Sequence, residues 1–172
     1  TTAIQLASSF GAKVFTTVGS EEKCNKMKEL GAELAINYNR DDFEKVINEY
    51  TNNKGINIIL DIIGASYFNK NLNILSKNGK LLIIAFQGGY EDKLNLLPIL
   101  KKWLTVTGST LRPRSVEEKG LIANQLYEKV WPLIEKKVVL PQIYGSYKLE
   151  DANKAHTLVE SSQHIGKIVL TI

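Results

Sequence analysis

The 172 residues include 22 basic and 18 acidic side chains, a formal net charge of +4, with 44% hydrophobic and 23% charged residues. That balance is the ordinary one for a globular domain with a full core, and it excludes a disordered, collagen-like or disulfide-built chain. No apolar run reaches the roughly 18–20 residues that span a bilayer, and the lysines alternate with Glu and Asp without forming a basic stripe, so neither a membrane nor a nucleic acid is expected as partner.

Thr1–Phe10 reads as an amphipathic helix, with Ala3, Ile4, Ala7 and Phe10 on one face and Leu6 beside it. Short β-branched runs then alternate with helical stretches. The strands are expected at Lys13–Thr17, Leu34–Asn37, Ile56–Ile62, Lys80–Phe86 and Leu104–Thr110, and the helices at Glu21–Leu30, Asp41–Tyr50, Tyr67–Leu75 and Leu96–Lys101. In Asp41–Tyr50, Phe43, Val46 and Ile47 recur at helical spacing, and Asp41 and Asp42 sit at the positive helix start. Gly31 is placed to stop the second helix and Gly79 to turn into a strand. Ile58-Ile59-Leu60 and Leu81-Leu82-Ile83-Ile84 are apolar on both faces, as strands of a parallel sheet covered by helices on each side are. The β-α-β repetition predicts an α/β fold with a doubly wound, Rossmann-like parallel sheet.

A long helix is expected over Val116–Lys136, followed by a strand at Gln142–Tyr147, a helix at Leu149–Glu160 and a strand at Gly166–Ile172. Pro141 and the short spacing place a boundary near residue 138. Residues 1–137 then form a dinucleotide-binding domain, and 138–172 a C-terminal strand-helix-strand segment. In a right-handed β-α-β fold the helix feeding Lys13–Thr17 follows a strand and a glycine turn. Neither precedes Thr1 in this sequence, so the sheet is expected to lack its first strand, the central one in the order 3-2-1-4-5-6. An empty central slot would leave backbone groups unpaired at about 1–3 kcal/mol each. Ile168–Leu170 is therefore expected to pair with Lys13–Thr17 or Ile56–Ile62.

A dinucleotide fold holds its ligand beyond the carboxyl ends of its strands. After Lys13–Thr17 an NAD site usually offers an acidic side chain to the adenosine ribose. This chain has Thr16-Thr17-Val18-Gly19-Ser20-Glu21-Glu22-Lys23. Ser20, Lys23 and the helix start suit the 2′-phosphate of NADP, although Glu21 and Glu22 oppose an anion. The alternative reading makes Ser20 a helix N-cap and Lys23 a solvated helix residue. Tyr38 ends the next strand, either as a ring over the adenine or phosphate or as an ordinary strand-end aromatic. Asp61 and Gly64 end the third strand and Phe86-Gln87-Gly88-Gly89 the fourth, where glycines admit a close backbone approach.

His156 and His164 have no acid or serine at catalytic spacing. The single Cys24 excludes an intrachain disulfide, lacks partners for a metal site, and reads as a packed thiol in a reducing, cytoplasmic setting. Trp103 and Trp131 read as core or interface aromatics. Arg112-Pro113-Arg114 is either an anion clamp or a cationic turn.

Taken together, these segments resemble the zeta-crystallin-like quinone oxidoreductases of the medium-chain dehydrogenase/reductase superfamily. Thr1-Thr2-Ala3-Ile4-Gln5-Leu6-Ala7 is similar to their helix after the Gly-rich loop, and Phe15–Lys23 to their NADP-phosphate segment. Leu30-Gly31-Ala32, Ile36-Asn37-Tyr38, Leu60–Gly64, Phe86–Gly89, Thr107–Arg114 and His164–Thr171 follow in the family's order. The resemblance implies zinc-independent hydride transfer from NADPH to a quinone or similar electron-poor acceptor. Lys23 and Ser20 would hold the 2′-phosphate and Tyr38 would lie over it. Phe86 and Gly88 would line the nicotinamide path with Ser109, Thr110 and Leu111 nearby, and Thr1 would face the pyrophosphate. It also implies a homodimer through Leu104–Thr110, centred on Val106. The sequence departs from the family in showing neither the N-terminal GroES-like domain nor the glycine loop. On that ground these residues alone are expected to be inactive, and an inactive NADPH-binding module or a decayed fragment is the alternative reading.

Overall fold

Short strands alternate with helices throughout residues 1–172, all of which the computed structural model describes. This is the expected Rossmann-like α/β fold with parallel sheets. No helix is long and apolar enough to cross a membrane. The chain forms two compact units, Thr1–Arg40 with Leu121–Ile172, and Asp41–Gly120.

In the first unit, α1 (Thr2–Ser9), β1 (Phe15–Val18), α2 (Glu21–Glu29) and β2 (Leu34–Asn37) follow in order. β1 and β2 pair in parallel from Phe15↔Leu34 to Val18↔Asn37. Ile4, Cys24, Met27, Ala32 and Ala35 form the core, with Val14, Val18, Leu30 and Ile165 packed around it. Burying a side chain such as Ile4 or Met27 contributes about 1.5–3 kcal/mol. α1 turns differently from the expected face: Ile4 and Gln5 are buried, while Ala3 and Phe10 are exposed. Gln5 replaces an apolar contact with a pair of hydrogen bonds. Its Nε2 donates to Leu140 O and its Oε1 accepts from Leu140 N, both at 3.0 Å. Phe10 lies just past the last helical turn.

The C-terminal part of this unit holds β6 (Ile143–Lys148), a 3-10 turn at Leu149–Asp151, α8 (Ala152–Glu160) and β7 (Lys167–Thr171). β7 pairs in parallel with β6, setting Ile168 against Gly145 and Leu170 against Tyr147. Ile168–Leu170 therefore pairs with neither Lys13–Thr17 nor Ile56–Ile62. The local β-α-β crossover supplies a partner through one short connection, at a lower loop-closure cost than a distant strand. The long helix expected over Val116–Lys136 is two helices, α6 (Val116–Lys129) and α7 (Trp131–Glu135). Pro132 sits in the first turn of α7, where its missing N–H costs nothing; inside a continuous helix it would remove a bond and clash.

The second unit contains α3 (Phe43–Tyr50), β3 (Ile56–Asp61), α4 (Ala65–Ile74), β4 (Leu75–Ile83), α5 (Leu97–Lys102) and β5 (Thr105–Gly108). Its parallel sheet runs β3-β4-β5. Register along β4 shifts between the Ile56↔Leu75 and Ile58↔Lys80 pairs, where Asn78 has φ 61. Phe68 and Leu72 of α4 pack on Leu75, Leu81 and Leu104, joined by Ile59, Ile83, Ile99 and Val106.

Within this unit α4 and α5 pack on one face of the sheet, through Phe68, Leu72 and Ile99. Right-handed crossovers that step in one direction place α4 and α5 on the same side. The alternate residues on the other side stay open: Ile58, Leu60 and Ile84 are 66%, 50% and 43% exposed. Trp103 and Trp131 are not core residues, being 62% and 51% exposed. Trp103 adopts a left-handed conformation at the end of α5, with Lys77 Nζ 3.9 Å from its ring centroid.

Candidate nucleotide-binding site

The ends of β1 and β2 bring Ser20, Lys23 and Tyr38 together within the first unit. Pairing continues one residue past the strands, since Tyr38 N donates to Val18 O at 3.0 Å. The Tyr38 hydroxyl then lies over Gly19, where an added Cβ would come within 2.8 Å of it. Asn39 Nδ2 donates to Gly19 O at 2.8 Å and ties the turn to the end of β2. The position after β1, where an acid would meet a ribose, thus has no side chain and is covered by a phenol.

Ser20 is the N-cap of α2. Its extended backbone, φ −152 and ψ 160, lets Oγ accept from Lys23 N at 3.2 Å. The cap reading of Ser20 is thus fulfilled, and its hydroxyl proton remains a donor for an anion. Lys23 is half-buried, and its Nζ donates to Ser162 O in the loop after α8. It is therefore not a freely solvated helix residue. Glu21, which opposes an anion here, pairs with Arg40, Nη1 to Oε2 at 3.0 Å. Thr1 is the N-cap residue of α1 in the same unit; its carbonyl accepts the first helical bond, from Gln5 N at 3.3 Å, and its side chain makes no cap.

The second unit holds the other expected residues. Asp61, buried at the end of β3, accepts from Ile63 N at 2.8 Å and Gly64 N at 3.1 Å, so its carboxylate holds the turn. Gly64 has φ 85, and a Cβ there would meet Gly89 O at 2.7 Å, so only glycine suits the position. Gly88 N donates to Ile63 O at 2.7 Å, and Phe86 is 56% exposed. At the end of β5, Ser109 N donates to Ile83 O at 3.0 Å. Arg114 braces this turn, donating from Nε to Thr110 O at 2.9 Å and from Nη2 to Ser109 Oγ at 3.3 Å. Leu111 is exposed.

Sequence reasoning missed Asn39, Arg40 and Ser162. Asn39 and Arg40 follow Tyr38 directly, so the strand-end rule that picked Tyr38 reaches them too. Ser162 lies 139 residues from Lys23, and no sequence signal links the two.

The remaining polar candidates do not converge. Cys24 is buried in the core, His156 is exposed on α8, and His164 stands edge-on to Tyr144 at 6.4 Å between centroids. No group of three or more His, Cys, Asp and Glu side chains lies close enough to hold a metal ion. The side chains present do not fit a zinc site.

Comparison with known proteins places these features in context. Residues 1–126 match the family described as zinc-binding dehydrogenase. Quinone oxidoreductase 1 of Escherichia coli is 29% identical over 171 residues, covering 98% of this chain and 52% of its own length. The crystal structure of an Escherichia coli quinone oxidoreductase complexed with NADPH superimposes with a TM-score of 0.82 at 28% identity, covering 99% of this chain and 53% of that one. A structure described as an NAD-dependent alcohol dehydrogenase superimposes with a TM-score of 0.84 at 30% identity, covering 99% and 47%. The chain spans about half the length of the curated relatives it matches.

Proposed function

The chain belongs to the zinc-binding dehydrogenase family, and from that premise we propose that it is the NADPH-binding part of a zinc-independent quinone oxidoreductase. The observation that carries this reading is the turn at Gly19. There the Tyr38 hydroxyl covers a position without a carboxylate, next to the Ser20 cap of the helix that carries Lys23. Hydroxyl donors, a cation and a positive helix end fit a phosphate. The NADPH-bound quinone oxidoreductase relative supports the same choice.

When bound, NADPH supplies a hydride to a quinone or similar electron-poor acceptor, and a proton from the medium completes the two-electron reduction. The chain's own residues bind and orient. Ser20 and Lys23 hold the 2′-phosphate and Tyr38 lies over it; Thr1 belongs to the pyrophosphate end. Phe86, Gly88, Ser109, Thr110 and Leu111 are assigned to the nicotinamide end.

The same reading assigns residues 1–137 to the nucleotide-binding domain and 138–172 to a segment that returns to the substrate domain. It includes a cytoplasmic location and a homodimer through the edge strand β5, whose outer backbone groups invite a second copy. Because the relatives carry about as much chain again, we assign turnover to the whole protein and cofactor binding to these residues.

Steady-state assays with NADPH and a panel of quinones test this. The protein containing this chain as one part should reduce quinones, and the 172 residues alone should not do so at an enzyme-like rate. Steady turnover by the 172 residues alone, abolished by Lys23→Ala, would overturn that division of labour.

A further inference from the structure

We infer that Arg40 is a positioning residue of the 2′-phosphate site, acting through Glu21 to make the turn at Gly19 acceptable to a phosphate. The inference rests on the NADPH reading above. α2 opens with two carboxylates, Glu21 and Glu22, immediately before Lys23. Acidic residues favour a helix N-terminus and so help α2 to form, but the same charges repel an anion arriving at that end.

The structure relieves this conflict at Glu21. Arg40 reaches back from the turn after β2, with Nη1 3.0 Å from Glu21 Oε2. The turn that presents it is fixed by its own hydrogen bonds. Arg40 N donates to Asn37 O at 3.0 Å, Asn39 N donates to Asn37 Oδ1 at 3.1 Å, and the Asn39 amide holds Gly19 O. These bonds tie the Arg40 turn to the segment that carries Ser20 and the residue beneath Tyr38.

Folding does not account for the pair. Its side chains are 65% and 56% exposed, a setting in which an ion pair contributes little to stability. Its effect on a neighbouring anion is larger. Released from Arg40, the Glu21 carboxylate is free to turn toward the bound dianion, and one like charge beside a dianion in a largely aqueous setting weakens binding by about three- to tenfold. Lys23 does not make this neutralisation, because its Nζ donates to Ser162 O.

Titration with adenosine 2′,5′-bisphosphate, with 5′-AMP as control, tests the inference on the full chain. Arg40→Met is expected to weaken the bisphosphate about three- to tenfold and to leave 5′-AMP unchanged, whereas Arg40→Lys retains most of the affinity. Glu21→Gln is expected to tighten the bisphosphate slightly. In that background Arg40→Met should cost less than about twofold, since the carboxylate it answers is gone. The same loss in both backgrounds would overturn the inference, because Arg40 would then act on the ligand directly. No loss on Arg40→Met beside a clear loss on Lys23→Ala would overturn it too, and leave the NADPH reading standing. If neither substitution affects the bisphosphate, both fall.

Discussion

Replacing Lys102 with methionine keeps most of the side-chain stem and removes an ammonium whose donors are all engaged. Lys102 Nζ donates to Leu72 O at 3.1 Å, Asn73 O at 2.6 Å and Leu75 O at 2.9 Å, closing the carboxyl end of α4. The last carbonyls of a helix have no partner within it, and the helix dipole makes that end negative. α4 also contributes Phe68 and Leu72 to the core of its unit, so loosening its end propagates into packing. A hydrogen bond to a charged group contributes about 1.5–3 kcal/mol. Because water can replace part of what is lost at this partly exposed end, the total is about 2–4 kcal/mol, against a stability of roughly 5–15 kcal/mol for the whole fold. For a chain of this size that corresponds to a fall in melting temperature of roughly 5–15 °C. Urea denaturation should show a lower midpoint at an unchanged slope. Lys101→Met, at the exposed neighbouring position, should change stability by no more than about 0.5 kcal/mol. If Lys102→Met behaves like Lys101→Met, the lysine does not close α4, and the reasoning fails.

Two further outcomes are expected. Asp42 caps α3, accepting from Glu44 N at 3.0 Å and from Lys70 Nζ at 2.9 Å. The hydrogen bond from Lys70, foremost, holds its carboxyl below the usual value of 3.8. A depressed folded-state value adds stability above 3.8 that is lost as pH falls through the lower value. Asp42→Asn should therefore flatten the acid limb of the stability–pH curve, and an unchanged limb would refute the contribution of the Asp42–Lys70 pair. The second concerns association. Sedimentation should show a dimer at tens of micromolar, and Thr107→Lys, at an exposed position of the edge strand β5, should yield a monomer. A monomeric wild-type chain would refute that interface.

Local rules carried far along this chain. Ser20, Glu21 and Glu22 mark the start of α2, and α2 begins there because the cap and acidic first turn act within one helical turn. The apolar runs locate β3 and β4 for a similar reason: β-branched residues suit extended backbone wherever the strand lies. Failures came where the deciding contact was distant in sequence. Phe10 looks like a core residue by helical spacing, but Gln5 sets the buried face by binding Leu140, 135 residues away. Ile58 and Leu60 look doubly buried, but the direction in which strands are added decides which face receives helices. Pro132 is legible in the sequence, since a proline inside an expected helix is itself a boundary signal.

The candidate site divides in the same way. Ser20, Lys23 and Tyr38 lie where strand ends must lie, and residue type alone suggested an anion. The engagement of Lys23 by Ser162, by contrast, depends on the fold of the C-terminal segment.

The central claim is that the Gly19 turn selects a 2′-phosphate through Lys23. Isothermal titration of NADPH and NADH into the wild-type chain and Lys23→Ala tests it most directly. The prediction is that NADPH binds more tightly than NADH to the wild type, that Lys23→Ala weakens NADPH by about 1–3 kcal/mol, and that NADH is nearly unaffected. Equal losses for both cofactors would contradict the claim.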